Sequence, residues 1–140
     1  MALHLLKMCV GCDSIEDLRQ WQANRILRGE GLFHRTRNMP KRAEEILDGG
    51  SLYWVIKGQI RVRQGIVGLD PGVDGEGVRF CLIRLAADLV ETVRMAQRPM
   101  QGWRYLDPAS APADRSPHDR DEADEMPVQM QKELRALGLL

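Results

Sequence analysis

The sequence has no run of about 18 apolar residues, the minimum for a helix to cross a bilayer, so no membrane-spanning helix is expected. Its first residues, MALHLLKMCVGC, are too short for an export signal and lack the basic stretch of one. Only three cysteines occur, Cys9, Cys12 and Cys81. Without an export signal they are expected as reduced thiols in a cytoplasm, not as a disulfide framework. Nucleotide fingerprints are missing too: there is neither a GxGxxG nor a P-loop, and Gly72, Gly75 and Gly77 mark a hairpin loop. The histidines, His4, His34 and His118, lie far apart, and no Ser/His/Asp grouping can be drawn from them. No catalytic residue and no cofactor is therefore expected. Aromatic residues are scarce: Trp21, Phe33, Tyr53, Trp54, Phe80, Trp103 and Tyr105 are the whole set, so where they cluster is informative.

What is present suits one small α+β domain. The 140 residues are 44% hydrophobic and 29% charged, ordinary values for a chain with a packed core. The net charge of zero hides an asymmetry. Residues 1–106 carry 16 Lys and Arg against 12 Asp and Glu, while residues 107–140 carry 4 against 8. A basic body favours an anionic partner, and an acidic tail is equally able to mask that body. Residues 1–106 are expected as the domain. Residues 107–127, with four prolines and few large apolar groups, are expected as a flexible linker. A short helix over 128–140, with Met130, Leu134 and Leu137 on one face, is expected to dock on the body or on a second copy.

Along the body, residues 2–10 read as a strand that Gly11 breaks. Asp13 and Ser14 offer N-caps to a helix running to about Arg28, with Ile15, Leu18, Gln22 and Ile26 on one face. A loop carries Phe33 and His34, and Pro40 opens a helix of about two turns ending at Gly49. Residues 49–63, GGSLYWVIKGQIRVR, form the central strand pair. Alternation places Leu52, Trp54 and Ile56 on the inward face, and Tyr53, Val55 and Lys57 on the other. A bulge is expected at Gly65 and a loop over 71–77. Beyond it come a strand over 78–85, a helical turn near 86–91 and a short strand over 91–95.

Two constellations carry chemistry. Cys9-Val10-Gly11-Cys12 is a CxxC before a helix N-terminus, a position that favours a thiolate. As a zinc site it would need further ligands, so Cys9 and Cys12 are weak metal candidates and equally read as small residues of a turn. The second constellation mixes cations with flat rings. Arg35, Arg37, Lys41 and Arg42 precede the central strands, which expose Tyr53, Lys57, Arg61 and Arg63, and Gln101, Trp103, Arg104 and Tyr105 follow. Cations for phosphates, rings for bases and amides for base edges are what unpaired nucleic acid is bound by. Packing surrounded by solvated arginines produces the same composition.

Three stretches, LHLLKMCVG…DSIEDL, RAEEILDGGSLYWVIKGQIRVRQGI and RPMQGWRYL, resemble a small bacterial family known only as a domain of unknown function. That resemblance covers roughly residues 2–106 and implies no activity. More distantly, PKRAEEILDGGSLYWVIKG and GIVGL are similar to the PUA-like barrels of the ASCH and EVE types. This implies a small, mostly antiparallel barrel with two or three short helices that binds RNA or modified bases. The leading expectation is thus a non-enzymatic RNA- or nucleotide-binding module in the cytoplasm. The alternatives are a thiol- or metal-dependent enzyme using Cys9 and Cys12, and a structural protein that self-associates through its C-terminal helix.

Overall fold

The structure, a computed structural model, describes residues 2–115. The expected C-terminal helix over 128–140, and most of the expected linker, lie outside them. The elements in chain order are β1 (His4–Met8), α1 (Ile15–Leu27), β2 (Phe33–Thr36), α2 (Ala43–Leu47), β3 (Ser51–Ile56), β4 (Gln59–Val73), β5 (Arg79–Ala96) and β6 (Trp103–Leu106), then a 3₁₀ turn, Pro108–Ser110. The six strands form one sheet ordered β2-β5-β4-β3-β1-β6. β1 runs parallel to β3, and the other neighbours are antiparallel. Most neighbouring pairs are antiparallel, as expected, but the sheet is mixed and open and does not close into the expected barrel. The parallel pair exists because α1, β2 and α2 carry the chain from β1 back to the same end of the sheet before β3 begins.

β3 is central because its sequence suits burial on both faces. All six of its residues are buried. Leu52, Trp54 and Ile56 join Leu5, Leu18, Ile46, Val62 and Ile83 in the main core. Tyr53 and Val55 join Leu6 and Ile60 in a smaller cluster on the opposite face. α1 starts where expected: Ser14 Oγ accepts the Asp17 N–H at 3.2 Å, and Asp17 Oδ2 accepts the Asp13 N–H at 2.9 Å. It buries Ile15, Leu18 and Gln22. Ile26, expected on that face, is 54% exposed, because the helix rests on the sheet only through its first two turns.

β5 corrects the expected strand, helical turn and strand: it is continuous from Arg79 to Ala96. β4 is long enough to pair along its whole length, joining Val62 to Glu91, Arg63 to Val90 and Gln64 to Leu89. A helical turn there would forfeit those ladder bonds. Register shifts near Ile60/Val62, Gln64/Ile66 and Ile66/Gly68 absorb the mismatch and curl the hairpin. The 71–77 loop shrinks to a tight turn, with Asp74 Oδ1 accepting the Glu76 and Val78 N–H groups at 2.8 and 2.9 Å. Phe33 and His34, expected in a loop, belong to edge strand β2 beside β5.

Residues 107–115, the first part of the expected linker, lie against the sheet. The Val93 N–H donates to Ala113 O at 2.9 Å and the Arg115 N–H to Glu91 O at 2.8 Å. Arg63 grips Asp114 with two bonds of 2.5 and 2.7 Å.

Gly50 is the tightest point of the core. A Cβ built there would lie 2.2 Å from Leu3 O and 2.4 Å from Ile46 O, both backbone atoms held by the sheet and α2. Gly50→Ala is expected to destabilise the protein by about 3 kcal/mol in urea unfolding. Gly75→Ala, where a Cβ meets nothing within 4 Å, is expected to leave stability unchanged.

Candidate functional site

The two edge strands, β2 and β6, end the sheet at opposite sides of its order, yet its curl brings them together. Trp103 of β6 donates its indole N–H to Asn38 O, just beyond β2, at 2.9 Å. The side chains of this seam line a cavity of about 810 Å³.

Its walls follow from local sequence. After β2 a turn is fixed by Asn38 N–H donating to Thr36 Oγ1 at 3.2 Å, which presents Arg37 and Asn38. Trp103 and Tyr105 alternate onto one face of β6, their rings edge to face at 5.0 Å. Tyr105 Oη accepts the Arg42 N–H at 3.2 Å, tying β6 to the start of α2. Across the cavity the Phe80 ring lies over Gly72, where a Cβ would come within 2.4 Å of it. The Arg35 guanidinium sits 4.1 Å from the Phe80 ring centre and pairs with Asp74 at 3.5 Å. The cations lining the cavity are Arg37, Lys41 and Arg79. All three are exposed, and none forms an ion pair with a described carboxylate.

Two smaller cavities continue the groove. One of about 400 Å³ shares Arg37, Asn38 and Trp103 with the first and adds Lys7 and Gln101. The next, about 490 Å³, shares Lys7 and is lined by Cys9, Cys12, Trp21, His34 and Trp54. Cys9 and Cys12 form a disulfide, which corrects the expectation of reduced thiols: the turn at Gly11 brings the two residues within bonding reach. No cluster of three or more His, Cys, Asp or Glu side chains able to hold a metal occurs among the described residues.

His34 packs edge to face on Trp54 at 5.5 Å. Burial, with the charges of Lys7 and Arg25, lowers its pKa from 6.5 to about 4. Burial also lowers that of Lys7. The folded protein keeps His34 neutral while the unfolded chain takes up its proton first. Its contribution is thus complete above about pH 6.5 and is lost as pH falls toward about 4. Unfolding titrations over that window are expected to show wild type losing about 3 kcal/mol more than His34→Phe. Parallel curves would contradict the assignment.

Of the residues singled out in the sequence, Arg37, Lys41, Trp103 and Tyr105 meet in the main cavity and Gln101 lines its extension. Arg35 and Arg42 flank it, Arg42 bonded to Glu45 at 2.5 and 2.8 Å. The others lie elsewhere. Tyr53 is buried beneath residues that include Ala111. Arg63 is held by Asp114 and by Ser51 Oγ at 3.1 Å. Lys57 occupies the β3–β4 turn with φ 50°, 3.9 Å from Asp13. Arg61 is on β4, and Arg104 points to the face of β6 opposite Trp103. Sequence reasoning missed Asn38, Arg79 and Phe80. Phe80 falls out of phase with the buried Cys81 and Ile83, the one signal that it faces away from the main core.

Fold and groove together define a class: a small α+β protein with an open, curled, mixed sheet and a basic, aromatic groove between its edge strands. The chain belongs to the family described as a protein of unknown function, DUF1489, whose model matches residues 5–140. The match runs well beyond residue 106, where the resemblance read from the sequence stopped. No curated protein and no solved structure matches the chain. The likeness to PUA-like barrels gains no support from these comparisons. No helix among the described residues is long and apolar enough to cross a membrane.

Proposed function

We propose that the protein binds single-stranded RNA or a nucleotide in the β2–β6 groove, as a binding module without catalysis of its own. The observation that carries this reading is the meeting of Arg37, Lys41 and Arg79 with the Phe80, Trp103 and Tyr105 rings around one cavity of about 810 Å³. That volume lies within the roughly 300–1,000 Å³ of ligand sites. The cations suit phosphates and the rings suit base faces, which is how unpaired strands are held without strict sequence preference. Asn38 and Gln101, along the same seam, offer amide groups to base edges.

Full-length protein freed of nucleic acid, titrated into a fluorescent single-stranded RNA, is expected to bind with an affinity that falls as salt rises. Three phosphate contacts predict a loss of roughly 20-fold between about 50 and 200 mM salt. Absence of binding, or binding indifferent to salt, would remove the reading.

A further inference from the structure

The Cys9-Val10-Gly11-Cys12 turn and its cavity take no part in the groove chemistry above. β1 leads into it, and the Cys9 N–H donates to Val55 O at 2.9 Å, so the first cysteine is anchored to the sheet at 8% exposure. Gly11, at φ 84°, reverses the chain, and the Cys12 N–H donates to Cys9 O at 3.3 Å. The two Cα atoms are 5.6 Å apart and the sulfurs are bonded. Cys12 is the more accessible of the pair and stands two residues before Ser14, the N-cap of α1. Both cysteines open onto the cavity of about 490 Å³, with Lys7, His34 and Trp21 around them.

A bridge that serves only to staple a fold gains most when it closes a long loop, and this one spans a separation of three residues. Its position is better suited to reaction. The cysteine at the helix side is the less buried of the two and lines the cavity, and the helix N-terminus stabilises negative charge on its sulfur. The other sulfur is sheltered, and a cavity large enough for a small molecule or a peptide side chain adjoins both. Cys81, by contrast, is buried in the main core and unbonded.

We infer that Cys9 and Cys12 form a thiol–disulfide exchange site whose substrate is a dithiol. The substrate's first thiolate attacks Cys12 Sγ, the Cys9–Cys12 bond breaks, and Cys9 leaves as a thiolate that takes up a proton. The substrate's second thiolate then attacks its own sulfur in the mixed disulfide and expels the Cys12 thiolate, which is protonated in turn. The substrate loses two electrons and two protons and becomes a disulfide, and the cysteine pair gains both.

Alkylation followed by mass measurement on the native full-length protein tests this. Oxidised protein is expected to gain no label at Cys9 or Cys12, and to gain both after brief dithiothreitol treatment that leaves the circular dichroism unchanged. A reduced dithiol peptide in place of dithiothreitol separates a macromolecular donor from a small one: faster reaction with the peptide assigns the former, and slower reaction the latter. Cys9→Ser is expected to form a mixed disulfide with oxidised glutathione at Cys12 at least about 10-fold faster than Cys12→Ser does at Cys9. A bridge that opens only when the protein unfolds would overturn the proposal. So would native thiols that oxidised glutathione fails to join, or a Cys9 that reacts as fast as Cys12.

Discussion

Reversing the charge at Arg37 and Arg79 together is expected to weaken single-stranded RNA binding by about 100-fold at low salt. Each substitution removes an attractive charge from the cavity wall and puts a repulsive one in its place. The salt dependence should flatten in the same variant, because fewer counterions are released on binding. Both side chains are exposed, and neither pairs with a described carboxylate, so the fold has little to lose. Surface changes of this kind alter stability by about 0.5 kcal/mol or less. Arg19→Glu with Arg28→Glu makes the same change in net charge on α1 and at its end, outside the groove lining. That control is expected to lose less than about 5-fold, through the general field alone. Equal losses in the two variants would show that binding follows net charge and that the groove plays no special part.

Gln64→Leu is expected to be the most damaging single substitution for stability. Gln64 is fully buried in β4, where its Oε1 accepts from Gln22 Nε2 at 2.8 Å and Trp54 Nε1 at 3.2 Å. Its Nε2 donates to Gln22 Oε1 at 2.9 Å and to Ala86 O at 2.7 Å. This one amide joins α1 to the sheet, orients the indole that floors the 490 Å³ cavity, and satisfies a carbonyl on β5. Leucine keeps the volume but strands the Trp54 N–H, the Gln22 amide and the Ala86 carbonyl inside the core. Unpaired buried groups cost about 1–3 kcal/mol each, reduced where local shifts or water recover a partner, so a total of about 4 kcal/mol is expected. Thermal unfolding should then fall by roughly 15 °C. Gln22→Leu in the same background should cost much less than it does in wild type, because its partner is already gone. A drop of under about 1 kcal/mol for Gln64→Leu would mean that the network contributes little.

Much of this was legible in the sequence, for a physical reason. Alternation in residues 51–56 is local, and Leu52, Trp54 and Ile56 do face the main core. Tyr53 and Val55 were equally legible as the opposite face, but nothing local reveals that this face is covered as well. The cover comes from residues around Leu106 and Ala111, more than fifty positions away, and Arg63 is taken up by Asp114 in the same way. The continuity of β5 was hidden for a related reason. Ala86 to Asp88 have little strand character of their own, and the β4 pairs on either side of them, Ile66 with Leu85 and Gln64 with Leu89, carry the strand through this irregular stretch. At the groove, Arg37, Lys41, Trp103 and Tyr105 were identified by composition alone. Arg79 and Phe80 were not, because their approach to Trp103 depends on how far the β4–β5 bulges curl the sheet. Curvature is a property of the paired strands and has no signature in either strand alone.

The central claim is that RNA enters the β2–β6 groove, and the three indole N–H signals of a nitrogen-15 spectrum report on it directly. Trp103 lines the groove and donates to the exposed Asn38 carbonyl. Trp54 is locked on Gln64 inside the core, and Trp21 lies on α1 beside the disulfide cavity. Adding single-stranded RNA is predicted to shift the Trp103 signal progressively to saturation, to leave Trp54 in place, and to abolish the Trp103 shift in the Arg37→Glu, Arg79→Glu variant. Saturable RNA binding with an unmoved Trp103 signal would contradict the account.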